Sequence, residues 1–361
     1  MRVTLVPVAG LCEAGRTGLA EAGYSRPRPR GRTAILAGVV VFVAVQFGVH
    51  SAVQSGSTPL RDPIYAEKFD TLKRHPEFFA GTSERHRLIA IGSSRTQLCL
   101  DATQLSDDRR TAFNFAAAGC GPVTDALYLR RLLDAGLRCE TVLVELHPAM
   151  LADHNPPFEA AWLHAYRLRS DEPDILRSYG WDIETPPQFR TGGQLSSAHT
   201  YRFALLNAAH PKLLPSPFGL NMAGRMDDRG HVPGIPVKAE DRPRFLADAH
   251  ATYARAFADY RPGGPAVAAV RDMLTRLQAH GIQPLLLFTP ESPTFRSWYG
   301  EAGDTAVSLL AQSLASEFGV PLIDARGWLP DDELADGHHA MPTGAKLFTE
   351  KLAVVLREMG R

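Results

Sequence analysis

Hydrophobic and polar positions divide the chain into four stretches. From Thr33 to Leu60 there is no Asp, Glu, Lys or Arg, and the run AILAGVVVFVAVQFGV from Ala34 is apolar on every helical face. Extended to Val53, it reaches the about 20 residues that cross a bilayer core. After residue 85, short apolar runs alternate with amphipathic stretches. Arg87–Gly92, Thr111–Phe115 and Glu140–Leu146 read as buried strands, and Pro122–Gly136 as a helix with Pro at its start and Gly at its end. The rhythm breaks from about Pro148 to Pro262, a stretch rich in Pro, His, Trp and Tyr with a helical patch at Ala249–Tyr260. It resumes with a helix at Ala266–His280, a strand at Gln283–Phe288, a helix at Asp304–Phe318, a strand at Val320–Asp324 and a last helix at Thr343–Met359. Alternating strand and helix predicts an α/β three-layer sandwich on a five-stranded parallel sheet, with a long insertion after the third strand.

The resulting division is a tail over 1–32, a transmembrane anchor over 33–53, a linker over 54–84 and a domain over 85–361 with its insertion at about 148–262. Arg26, Arg28, Arg30 and Arg32 precede the apolar run, so the N-terminus is expected in the cytoplasm and the domain outside, in a periplasm or on a cell surface. Competing readings of the run are a buried core helix and a cleaved signal peptide, with secretion as the consequence of cleavage. The 39 basic residues equal the 39 acidic ones, a balance that argues against nucleic acid as partner. Four cysteines without a CxxC pair exclude a disulfide-built scaffold and give no support to a zinc ribbon. A pairing of Cys99 with Cys120 stays open, Cys12 falls in the tail, and Cys139 reads as a buried hydrophobe.

In open α/β sheets ligands bind beyond the carboxyl ends of the strands, and three such places carry chemistry. Gly92-Ser93-Ser94-Arg95 follows the first strand, where a serine either caps a helix or exposes its hydroxyl. Asn114-Phe-Ala-Ala-Ala-Gly119-Cys-Gly-Pro122 follows the second, and its glycines allow a backbone N–H to approach a ligand closely. Asp336-Gly-His338-His339 precedes the last helix, and an Asp three residues before a His can orient the imidazole as a base. The same residues read alternatively as a polar loop or a metal cluster. There is no GxGxxG or Walker loop to suggest a nucleotide binder.

In this order and at these positions, the three segments resemble those of the SGNH (GDSL-like) hydrolase superfamily. The likeness covers roughly residues 85–148 and 264–358 and extends to Gly344-Ala345 and Phe348. It implies Ser94 as nucleophile, His339 as base, Asp336 as its orienting partner, and the N–H groups of Ser94 and Gly119 as oxyanion donors. It implies a serine esterase or O-acyltransferase without cofactor or metal. Two departures stand out. Ser93 occupies the place of the family's usual Asp, as in its membrane-anchored cell-envelope branch. The third strand is followed by Glu145-Leu-His147-Pro148 where the family brings an Asn, so His147 and Asn155 remain as candidates for the third oxyanion donor. After the fourth strand, Glu291 and Trp298 suit a sugar-binding mouth. That segment is similar to the anchored proteins of polysaccharide O-acetylation and teichoic acid D-alanylation. The resemblance thus implies an acylated carbohydrate or other ester as substrate, and a membrane acyltransferase as a further partner. A catalytically silent envelope module that binds a polysaccharide or such an acyltransferase is the second function class. Arg95 is expected to face solvent. His154, Trp162, His164 and Tyr166 of the insertion read as lid or core residues.

Overall fold

The computed structural model describes residues 29–54, 61–81, 83–153, 159, 163, 167–181, 196–209 and 226–361. Two compact units divide at Phe47 and Gly48. The first consists, as far as it is described, of the N-terminal part of a helix at Pro29–Gln54. Within that helix Gly31–Ala52 spans 22 residues at a mean hydropathy of 2.0, long and apolar enough to cross a membrane. Ile35, Leu36, Val39 and Phe42 are all exposed along it.

The second unit is built on β1 (His86–Ile91), β2 (Arg110–Asn114), β3 (Thr141–Glu145), β4 (Gln283–Phe288) and β5 (Leu322–Asp324), each within two residues of the predicted span. All pairs are parallel, in the order β2-β1-β3-β4-β5. Both faces are buried, and side chains alternate between them because successive strand residues point to opposite sides. Leu88, Ala90, Ala112, Leu143 and Leu285 pack with Phe348, Leu352 and Leu356 of the Pro342–Glu358 helix. Ile89, Ile91, Phe113, Val142 and Leu286 pack on the opposite face with Leu129, Leu132, Val270 and Leu274 of the helices Pro122–Asp134 and Gly264–Ala279. The order reverses direction at β1 and β3, which puts the crevice expected to hold a ligand at the carboxyl ends of those two strands.

Two boundaries differ from expectation. Residues 61–81 are not a linker: they form a helix at Pro63–Leu72 and a 3₁₀ turn at Pro76–Phe78, and bury Ile64, Tyr65, Leu72 and Phe78 in the core. Asp62 starts that helix by accepting from the Tyr65 N–H and pairs with Arg131 and Arg167, contacts that no local pattern encodes. The helix expected from Asp304 begins at Pro293 and bends at Gly300, whose φ of 68° only glycine adopts readily. The insertion returns along the sheet edge. The Asn114 N–H donates to the Arg229 carbonyl, and Lys68 Nζ bridges the Asn114 and Gly230 carbonyls. A helix at Arg242–Phe257 follows; it starts before the predicted patch at Ala249–Tyr260 and stops three residues short of its end.

Candidate active site

The chain after β1 turns at Gly92 into a short helix, Ser94–Cys99. Ser93 is its N-cap: the hydroxyl accepts from the Arg95 N–H, and the residue is buried. Ser94, first in the helix, is the one residue of 92–95 that is not buried. Its hydroxyl lies 2.7 Å from His339 Nε2. The two serines are therefore distinguished by position, with Ser93 committed to the backbone and Ser94 facing the imidazole.

His339 belongs to the loop before the last helix. Its Nδ1 is 2.7 Å from Asp336 Oδ2, while Asp336 Oδ1 accepts from the backbone N–H of His339 (2.9 Å) and of His338 (3.3 Å). Burial works against a charged carboxylate, but His338 and His339 beside it and the hydrogen bond from His339 outweigh that and hold Asp336 well below the usual carboxylate range. An ionised Asp336 can only accept, so the proton of the neutral imidazole sits on Nδ1. Nε2 is left as an acceptor for the Ser94 hydroxyl.

A feature absent from the sequence reading lies behind His339. The His338 ring sits 4.0 Å from that of His339, stacks on Phe295 at 4.6 Å, and brings Nε2 within 3.2 Å of the Tyr253 hydroxyl. Tyr253 comes from the insertion helix, so that segment braces the histidine loop. Burial, with His339 and Arg95 adding to it, pushes the His338 pKa well below the ordinary 6.5 against the pull of Asp336. Adjacency to His339 was the one sequence signal.

Gly119 lies in the loop after β2 with φ 78°, a left-handed conformation that favours glycine. The loop is fixed from Asn114, whose side-chain amide donates to the Thr96, Gln97 and Leu100 carbonyls and whose Oδ1 accepts from the Ala116 N–H. One side chain thus ties the Gly119 loop to the helix carrying Ser94.

The remaining predictions divide. Glu291 is no mouth residue: it is fully buried, 2.8 Å from Arg95 Nη1, and accepts from the Tyr299 hydroxyl at 2.7 Å. Arg95 is equally buried instead of facing solvent, and donates to the Thr289 and Pro290 carbonyls. Burial alone would lower its pKa, but Glu291 and Glu145 hold it above the usual value. Trp298 is half-buried, with Phe295 and His250 as its ring neighbours. His147 is buried with Nδ1 facing Arg95 Nη1 and the Ala149 N–H, each at 3.3 Å. Asn155, His154, Trp162, His164 and Tyr166 lie outside the described residues. Cys99, Cys120 and Cys139 are buried free thiols, so Cys99 and Cys120 are not paired.

Among the described residues, two groups hold potential metal ligands within 4.8 Å of one another, Asp336-His338-His339 and Asp101-Asp227-His231. In the first, the relay just described uses the Asp336 oxygens and His339 Nδ1. In the second, Asp101 Oδ1 accepts from the Gln104 N–H, and Asp227 accepts from the Arg229 and His231 N–H groups and the Thr103 hydroxyl.

No protein-family description matches the sequence, and no curated protein does. Among solved structures, the fold is similar to a lipase/acylhydrolase from Enterococcus faecalis at 12% identity and TM-score 0.36, over 76% of this chain and 96% of that one. A carbohydrate acetylesterase family member from Sinorhizobium meliloti gives 12% identity and TM-score 0.35, over 76% and 98%. The M. smegmatis aryl esterase gives 15% identity and TM-score 0.32, over 76% and 99%.

Proposed function

We propose that this chain is an SGNH-type serine esterase or acyltransferase, anchored by its N-terminal helix, that acts on an acyl ester of a cell-envelope carbohydrate. The observation that carries the chemistry is the relay of two 2.7 Å contacts, Ser94 Oγ to His339 Nε2 and His339 Nδ1 to Asp336 Oδ2. The carbohydrate and the envelope rest on the resemblance of the sequence segments and on the apolar helix at Gly31–Ala52.

Ser94 Oγ attacks the ester carbonyl carbon as its proton passes to His339 Nε2. Asp336 stays ionised and stabilises the imidazolium. The oxyanion accepts from the N–H groups of Ser94 and Gly119, which is where preorganised donors lower the barrier most. As the intermediate collapses, the bond to the alcohol oxygen breaks, and that oxygen leaves with the proton from Nε2. The acyl group remains on Ser94. Water, deprotonated in turn by Nε2, releases it as a carboxylic acid; a carbohydrate hydroxyl in the same position receives it as a new ester. In the transferase case the membrane acyltransferase is the source of the acyl group.

The test is labelling with a fluorophosphonate, which reacts with an activated serine. Wild-type protein is expected to label, and Ser94→Ala to lose labelling and ester turnover while unfolding at an unchanged temperature. Wild type that neither labels nor turns over an aryl acetate would leave the silent envelope module, which binds a polysaccharide or a membrane acyltransferase, as the reading.

A further inference from the structure

Directly behind the nucleophile turn lie three charged side chains, Glu145, Arg95 and Glu291, all with side-chain exposure of about 1% or less. Burying ions in this way is costly, and a well-packed apolar substitute commonly serves stability as well or better. The contacts of Glu145 point to another benefit. Oε2 accepts from the Ser93 N–H at 2.6 Å, and Oε1 accepts from the Ser93 and Thr289 hydroxyls at 3.2 Å each. The carboxylate passes so close to Gly92 that a Cβ there would sit 2.4 Å from Oε2. On the other flank of Ser94, Arg95 reaches the Thr289 and Pro290 carbonyls and sits 3.9 Å from Glu145 and 2.8 Å from Glu291.

Residues 93 and 95 are thus tied to the ends of β3 and β4, while Ser94 between them is free to face His339. The pull of Arg95 and the three hydrogen bonds fix the carboxylate, and the carboxylate fixes the turn. Resting on the Ser94 reading above, we infer that Glu145 is a positioning residue for the nucleophile, held in place by the Arg95–Glu291 pair. At the place after the third strand where the resemblance leads one to look for an oxyanion donor, this chain sends an acid beneath the serine.

The experiment measures saturation labelling of the full chain by a fluorophosphonate, separating the maximal labelling rate from the half-saturating concentration. Glu145→Gln keeps the shape and removes the charge. It is expected to lower the maximal rate roughly 10- to 100-fold with little change in half-saturation, because a small misplacement of a reacting atom is that costly. Thr289→Val, a milder loss of one Glu145 contact, is expected to lower it roughly 3- to 10-fold, in the range of a partial misplacement, and covers the case in which Glu145→Gln does not fold. The control is Glu172→Gln, which weakens a buried pair with Arg131 away from the turn. If Glu145→Gln and Thr289→Val label no more slowly than Glu172→Gln, the positioning role is overturned and the Ser94 reading stands. If wild type itself does not label, both fall together.

Discussion

At the scale of single residues, the proposed relay depends on one carboxylate, Asp336, kept charged. Asp336→Asn preserves shape but offers an amide N–H or a weaker acceptor to Nδ1, so the imidazole loses its preferred tautomer. Turnover is expected to fall by about 10⁴-fold, the cost of a wrong tautomer in such relays, with folding retained by circular dichroism. A second consequence concerns acid. Burial holds both His338 and His147 well below the ordinary 6.5, and Arg95 adds to it at His147. Below about pH 6.5 the unfolded chain takes up these protons and the folded chain does not. The share of stability set by these two imidazoles is therefore full above that pH and is lost as pH falls, by up to about 1.4 kcal/mol per pH unit for each imidazole. Asp336 adds its own loss only below about pH 4, where the unfolded carboxyl protonates, because its folded value is depressed. His338→Phe removes one of the two shares, so urea unfolding should find its deficit against wild type shrinking by about 1.4 kcal/mol per unit between pH 6.5 and 5. A constant deficit across that range would mean that His338 is charged in the folded protein.

At the scale of elements, strands and helices were legible because both faces of the sheet are buried. Runs such as Leu88–Ile91 and Leu285–Phe288 then stand out as wholly apolar, and Pro and Gly mark the helix ends. The residues proposed for the relay stood out for a related reason: Ser94, Gly119 and Asp336-His339 each follow a strand or precede the last helix, and the motifs at such places are local in sequence. Arg95 and Glu291 were misread because their partner is each other. A charge beside a predicted site looks solvent-facing until the fold brings its counter-ion from another strand end, and nothing within a few residues of Arg95 announces Glu291. Helix Pro63–Leu72 escaped because its stretch is short and one of its buried polar residues, Lys68, finds its carbonyls far along the chain, in β2 and the insertion. The close approach at Gly92 supports a prediction at this scale. In Gly92→Ala the new Cβ would meet Glu145 Oε2 at 2.4 Å and Glu145 Cβ at 2.6 Å. Overpacking of this kind is expected to cost about 1–3 kcal/mol in thermal or urea unfolding. Because the two closest contacts are with the Glu145 side chain, and only glycine there removes both Oε2 and Cβ, Gly92→Ala combined with Glu145→Gly should cost less than the sum of the two. Additive losses would mean that the strain lies in the backbone at Gly92 itself.

At the scale of the whole molecule, the apolar helix bears on the proposed address of the chain, because it is long and apolar enough to cross a membrane. Twenty-two residues, Gly31–Ala52, at a rise of about 1.5 Å make about 33 Å, enough for a hydrocarbon core of about 30 Å. Leu36, Phe42, Phe47 and the valines from Val39 to Val45 are exposed, a surface that water penalises at about 25 cal/mol per Å² and that lipid accepts. In the sequence, arginines at positions 26, 28, 30 and 32 come at or before its start, and on the proposed reading the positive-inside rule would keep that end in the cytoplasm. The expectation is that the full chain stays with the membrane pellet in alkaline carbonate and enters solution only with detergent. Protease added from outside, once any outer barrier is opened, should remove the domain and spare a fragment of the N-terminal helix. Intact mass separates this from the cleaved alternative: an anchored chain retains residues before Thr33, whereas signal cleavage near Val49-His50-Ser51 leaves a mature protein that starts there and fractionates as soluble. An anchor would bear on the proposed chemistry as well. A tethered serine enzyme meets only esters within reach of the bilayer surface, so moving the helix to a soluble fusion should leave aryl ester turnover per molecule unchanged and reduce turnover of envelope-bound ester. Equal loss of both would mean that the helix supports the domain's folding instead of its address.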